Sequence, residues 1–374
     1  MKRTKAAAAL AAGVLGAALT LGAGAGAASS TPYVVGFINH LTGPAAVYGQ
    51  SMKLGSELAV SQINARGGIN GHPLEVIYKD DQLNPSLAVS DFNTLVTVDH
   101  VPVVMGSGSS TVTLAIVPRA TATHTVLISS ISTSPLLANS SKWFFGVMAD
   151  DNAQGAEWVK VARALHVTKV AVMYINNDYG VGVMKVFDKD FKAAGGTVLV
   201  NQSFQQGGSD FRTDILKVEA SGAKTVFIVG HVQEAGTLLA QAGQMGFHPQ
   251  WVGDTALNAP QFVQLAGSEA NGMILLSAGN HFTAAYKRFE TAFVARYHEA
   301  PTIWSDFAYD TTNLVARAIA KGGYNANGIR KALAATKGFV GASGVKTFQP
   351  NGFVSGDFDW YKVKNGKIVF WHAG

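Results

Sequence analysis

The sequence predicts an α/β fold of two doubly wound parallel-sheet units. Three observations predict it. Short β-rich apolar runs alternate with stretches of helical periodicity along most of the chain, and such alternation builds parallel sheets covered on both faces. The alternation pauses near Asp150 and then restarts. About 345 residues remain once a leader is set aside, more than one hydrophobic core normally holds.

The leader comes first. Lys2, Arg3 and Lys5 make a basic start, Ala6 to Leu21 a short apolar run, and Ala25-Gly26-Ala27 a small-residue cleavage site. Together they read as a secretory signal peptide over residues 1–27, cut near Ala27. A membrane anchor is the competing reading, but this Ala- and Gly-rich segment is weakly hydrophobic, and no second run approaches the roughly 18 to 20 apolar residues a span needs. The chain has no cysteine, so disulfides and lipid attachment to an N-terminal cysteine are both excluded. Removing the leader takes the formal charge from +5 to +2, because its three basic residues face no acid there. With no Lys/Arg cluster either, a nucleic-acid partner is not expected.

In the first unit, Tyr33 to Ile38 is a strand, followed by a turn at Thr42-Gly43-Pro44. Gln50 to Arg66 carries Met52, Leu54, Leu58, Ala59 and Ile63 at helical spacing and stops at Gly67-Gly68. Leu74 to Tyr78 is the next strand, and Pro85 opens a helix reaching about Val98. Val101 to Met105 runs through Gly106-Ser107-Gly108-Ser109-Ser110 into a helix over 111–122. Val126 to Ile128 is a fourth strand, ending in Ser129 to Pro135. The second unit repeats the scheme: helix 154–165, strand 170–174, helix 181–194, strand 197–204, helix 211–219, strand 225–229, helix 234–245 and strand 250–252. A run at 273–276 precedes helices over 284–297 and 305–320, and the tail from Val345 to His372 reads as hairpins turning at Asn351-Gly352 and Asn365-Gly366.

Open α/β sheets bind ligands beyond the carboxyl ends of their strands. The polar post-strand loops are therefore the candidate site: Ser107 to Ser110, Ser129 to Ser134, Asn176 to Gly180, His231 and Asp254. The turn at 106–110 is the most chemical of them. A strand, a small-residue turn and a helix start leave backbone N–H groups pointing outward, where the helix dipole favours an anion and Ser107, Ser109 and Ser110 add hydroxyl donors. A bare turn is the plainer reading of the six residues Met105 to Ser110 taken alone.

Reaction motifs are missing. There is no G-x-S-x-G elbow, no phosphate loop G-x-x-x-x-G-K-[ST], and no G-x-G-x-x-G in the right context. The ten His residues are never closer than 17 positions, so no linear metal-ligand pair occurs. Neither cofactor nor metal is expected.

Several motifs, in order along nearly the whole mature chain, carry a family resemblance. They are Leu41-Thr42-Gly43-Pro44 with Tyr48-Gly49, Ile63-Asn64-Ala65-Arg66-Gly67-Gly68-Ile69-Asn70-Gly71, Tyr78-Lys79-Asp80-Asp81, Asp178-Tyr179-Gly180, Phe307-Ala308-Tyr309-Asp310 and Thr347 to Gly352. The chain resembles the bacterial solute-binding proteins of the leucine/isoleucine/valine-binding type, which serve ABC importers of branched-chain amino acids. The resemblance implies the type I periplasmic binding fold: lobes of 31–149 plus 278–348 and 150–277 plus 349–374, joined by three crossovers near 149, 278 and 348. It implies a periplasmic monomer that encloses a small ligand between closing lobes and delivers it to a membrane permease.

Site residues follow from the same resemblance. Ser110, in the G-x-x-x-S turn with Ser109 beside it, would hold a ligand carboxylate, and Thr133 with Ser132 beside it would contact carboxylate and ammonium. Tyr48 and Tyr179 would border the side-chain pocket. Two departures bear on the ligand. His231 stands where amino-acid binders of the family place an aromatic residue. Thr255 stands where they place an acidic residue for the ammonium, with Asp254 one position earlier. Either Asp254 takes that role or the ligand lacks an ammonium, which leaves an aromatic carboxylate or short amide as the alternative. A sensory binding module and an exported hydrolase are the other readings. Asp150-Asp151 reads as an N-cap pair for the helix that follows, and Asp80-Asp81 as a structural loop.

Overall fold

The computed structural model describes residues 31–373. The signal peptide and cleavage site expected from the sequence lie outside the described residues. The first unit holds β1 (Tyr33–Asn39), α1 (Ala46–Ala65), β2 (Leu74–Asp80), α2 (Pro85–Thr97), β3 (Val103–Gly106), α3 (Ser110–Thr123), β4 (Val126–Ser129) and β5 (Phe144–Gly146). Its sheet is parallel throughout, in the order β2-β1-β3-β4-β5.

The second unit runs through α4 (Asp151–Ala164), β6 (Lys169–Ile175), α5 (Asp178–Ala193), β7 (Thr197–Phe204), α6 (Arg212–Ala220), β8 (Thr225–Val229), α7 (Val232–Gln244), β9 (Gln250–Gly253), α8 (Pro260–Ala266) and β10 (Ile274–Ala278). The chain then adds α9 (Ala284–Tyr297), α10 (Ser305–Gly322), α11 (Ala326–Ala334), the short pair β11 (Phe339–Gly341) and β12 (Gly344–Lys346), and the hairpin β13 (Phe358–Lys364) and β14 (Lys367–Ala373). The second sheet has the order β14-β13-β10-β9-β8-β6-β7, with β13 and β14 antiparallel at one edge.

Side-chain alternation explains why both sheets are wound on both faces. Along β1, Val35 and Phe37 enter one core while Ile38 enters the other; β3 and β4 divide Val103, Met105, Val126 and Ile128 from Val104 and Leu127 in the same way. In the second sheet Val226 and Ile228 face one layer, Phe227 and Val229 the opposite one. The late helices return to the first unit. Tyr297 of α9 donates from its hydroxyl to the Leu54 carbonyl of α1 at 2.9 Å. Helix α10 lies against α1 so closely that a Cβ on Gly55 would fall on the Ser305 carbonyl oxygen. The chain thus passes between the units after β5, after β10 and after β12.

Local differences from the sequence reading have physical causes. The tail makes one ladder hairpin, turning at Asn365-Gly366, where φ values of 50° and 71° suit a two-residue turn. Asn351-Gly352 turns between single bridges instead, Phe348 with Val354 and Gly146 with Phe353. The Asp150-Asp151 pair does not cap α4 by side chain. Asp151 is buried, and its Oδ2 has no hydrogen-bond partner. Asp80 and Asp81 do serve the loops: Asp80 accepts from the Leu41 and Thr42 backbone, and Asp81 accepts from Ser107 Oγ at 2.6 Å.

Candidate functional site

The carboxyl ends of the two sheets face each other across a narrow cavity of about 30 Å³. The first unit contributes His40 after β1, Tyr48 on α1, Gly108, Ser109 and Ser110 after β3, Ile131 and Thr133 after β4, and Met148 after β5. The second contributes Asn177 and Tyr179 after β6, His231 after β8, and Thr255 and Ala256 after β9. Trp304, just before α10, closes one side. Its mixed polar and apolar wall suits a small organic ligand.

The anion end is built at the start of α3. Ser109 occupies the N-cap position, and its hydroxyl accepts from Val112 N–H at 3.5 Å. Ser110 opens the helix, so its own N–H and that of Thr111 have no acceptor within the helix. Ser110 Oγ accepts from the Thr133 and Ser134 N–H groups, each at 3.2 Å. With its lone pairs taken, the Ser110 hydroxyl has its proton left to donate. A hydroxyl donor beside the positive end of a helix can hold a carboxylate.

The other expected residues divide. Thr133, Tyr179 and His231 line the cavity. Ser132 does not stand there. Its hydroxyl donates to the Ser107 carbonyl at 2.7 Å and lies 2.8 Å from Thr113 Oγ1, because neighbouring residues of an extended loop point to opposite sides. Asp254 is likewise behind the wall, fully buried, accepting from Tyr179 Oη at 2.8 Å and from the Gly230 and Ala256 N–H groups at 3.1 Å each. Burial pushes its carboxyl up to about 7.

Tyr48 presents its ring and not its hydroxyl. Its Oη accepts from Val232 N–H at 2.8 Å and donates to the Ala256 carbonyl at 3.0 Å, tying α1 of the first unit to two loops of the second. Tyr48→Phe should therefore favour separation of the two units, weakening ligand binding about tenfold through two lost hydrogen bonds. Scattering on the ligand-free variant checks this: the radius of gyration should rise above wild type, and an unchanged radius with unchanged affinity would refute it.

Sequence reasoning missed His40 and Trp304, and reached Asn177 only as part of the loop Asn176 to Gly180. His40 follows β1 directly, so the strand-end rule that selected Ser107 to Ser110 could have found it. Its Nδ1 is buried without a hydrogen-bond partner, and burial lowers its pKa to about 3, so the imidazole is neutral. Burial also lowers the pKa of His231. Trp304 precedes a helix instead of following a strand, adopts the left-handed region at φ 65°, and packs 4.7 Å from the Tyr48 ring. Among the described residues no group of three His, Asp or Glu could hold a metal, and no helix is long and apolar enough to cross a membrane.

Two doubly wound units with a cavity between their strand ends define a solute-binding protein of the type I periplasmic binding class. The chain belongs to the periplasmic binding protein family, whose model matches residues 32–367. It is 29% identical over 286 residues, 76% of each chain, to the leucine-, isoleucine-, valine-, threonine- and alanine-binding protein of Pseudomonas aeruginosa. It is 27% identical to Leu/Ile/Val-binding protein homolog 3 of Brucella melitensis, over 92% of this chain and 95% of that one. Among solved structures it is similar to the branched-chain amino acid transporter substrate-binding protein LivJ of Streptococcus pneumoniae in complex with isoleucine. That match has a TM-score of 0.86 and 31% identity, and covers 92% of this chain and 99% of the other.

Proposed function

We propose that this protein is the exported solute receptor of an ABC importer and captures a small carboxylate-bearing ligand, an amino acid in the first instance. The observation that carries the reading is the start of α3, where the Ser110 hydroxyl and two helix-end N–H groups converge on the cavity. Closure of a lobe of 31–149 plus 278–348 on a lobe of 150–277 plus 349–374 would exclude water from that anion. The receptor works as a periplasmic monomer, freed by cleavage near Ala27, and hands its ligand to a membrane permease. Its relatives bind branched-chain and other small amino acids by name, which supports the same class here.

Binding without turnover fits the chemistry of Ser110. The groups that hold its oxygen are backbone N–H donors, and a nucleophile needs a base in that place. A second reading, a carboxylate ligand without an ammonium, draws on Thr255, whose hydroxyl donates to Gln154 Oε1 at 2.8 Å in the cavity wall.

Thermal shifts against amino acids, aromatic carboxylates and short amides test the proposal. A ligand at about 100 times its Kd should add about 2.7 kcal/mol of stability and raise the melting temperature. A melting temperature unmoved by every small organic acid and amide would contradict the receptor reading.

A further inference from the structure

The first unit carries a groove of about 830 Å³ that shares no lining residue with the cavity between the units. Three stretches wall it: residues 139–145 leading into β5, the end of α11 with Lys337 beyond it, and residues 347–352 in the crossing after β12. Backbone hydrogen bonds tie these walls together. Asn139 N–H donates to the Asn351 carbonyl at 3.0 Å, and Phe348 N–H to the Thr336 carbonyl at 3.2 Å.

The charge of this groove is one-sided. Lys142, Arg330 and Lys337 line it, and among the described residues no Asp or Glu does. Residues 100–149 and 311–356 supply the whole lining, and neither segment contains an acid. None of the three cations forms an ion pair among the described residues. The chain shows no linear Lys/Arg cluster because two distant segments meet to make this one. Arg330 is its best-ordered member. Its guanidinium lies over the ring of Trp143, 5.3 Å from the centroid, and Trp143 in turn stacks on His124 at 5.4 Å. Arg330 Nε is buried and has no hydrogen-bond partner. A buried donor without an acceptor is costly, and an anion seated in the groove would satisfy it.

We infer that this groove is a second binding site, separate from the cavity between the units, and that it takes a phosphate-class oxyanion. Arg330 is its principal donor, and Lys142 and Lys337 neutralise the remaining charge. Three cations with no acid among them exceed what one carboxylate can balance. A phosphate group carries up to two charges and several acceptor oxygens, and a guanidinium held flat by stacking is suited to such an acceptor. Free phosphate and the headgroup of an anionic lipid share this chemistry. The inference is independent of which solute the receptor carries.

Two titrations of the mature protein test the site at low ionic strength, where exposed charges are least screened. One adds inorganic phosphate and follows the indole N–H resonances of isotope-labelled protein. The other measures co-sedimentation with phosphatidylglycerol vesicles against phosphatidylcholine vesicles. Phosphate should shift the Trp143 indole signal, which is identified by its absence from Trp143→Phe. Arg330→Gln should weaken anion binding at least about tenfold, and Lys142→Gln and Lys337→Gln about threefold each. The lysine variants, at exposed positions, keep the test decisive if Arg330→Gln does not fold. Lys224→Gln removes the same charge from an exposed position on the second unit and should leave binding within about twofold. Response to phosphate alone supports a site for a soluble oxyanion; response to phosphatidylglycerol, with or without phosphate, supports one for a lipid headgroup. Binding of neither probe by the folded wild type, or losses in the groove variants no greater than in Lys224→Gln, would overturn the inference.

Discussion

Ser110→Ala is expected to weaken binding of a carboxylate ligand by roughly 10- to 100-fold, the worth of one hydrogen bond to a charged group. The loss has two parts. The ligand loses a hydroxyl donor, and the Thr133 and Ser134 N–H groups lose the oxygen they share, so the loop that carries Thr133 loses its anchor to α3. Ser110→Thr keeps the hydroxyl and should recover most of the affinity if its methyl group is accommodated. Titration calorimetry distinguishes the outcomes. An alanine variant within about twofold of wild type would place the ligand carboxylate somewhere else.

Trp158→Ala is expected to give the largest loss of stability. Trp158 on α4 is fully buried, with Phe187 and Phe227 at 5.3 and 5.1 Å between ring centroids, and its indole N–H donates to the Gly253 carbonyl at 3.3 Å. Truncation of such a residue costs about 3–5 kcal/mol, and a melting temperature lower by on the order of 10 °C should follow. Gly253 precedes Asp254, so the packing of α4 also supports the loop behind Tyr179. A melting temperature within about 2 °C of wild type would contradict this account of the second core.

Much of this molecule was legible in the sequence because its signals are local. Alternating apolar residues in β1, β3 and β4 each face a different core, and the Gly-Ser turn before α3 marks a helix start wherever it lies. The short elements were not legible: α11 spans nine residues, and β11 and β12 three each, too few for a period to emerge. Which side of a loop faces the ligand was also hidden. Ser132 and Thr133, or Asp254 and Thr255, differ by one position, and only the backbone path decides which reaches the cavity. The direction of hydrogen bonds was the most deeply hidden property. Tyr48 reads as a pocket tyrosine, but partners about 184 and 208 residues away take its hydroxyl.

The most direct test of the central claim is a crystal structure of the protein with the amino acid that most raises its melting temperature. The account predicts one ligand in the cavity between the units. Its carboxylate should lie within hydrogen-bond distance of Ser110 Oγ and the Ser110 and Thr111 N–H groups. A ligand bound outside this cavity, or one whose carboxylate points away from the start of α3, would contradict it.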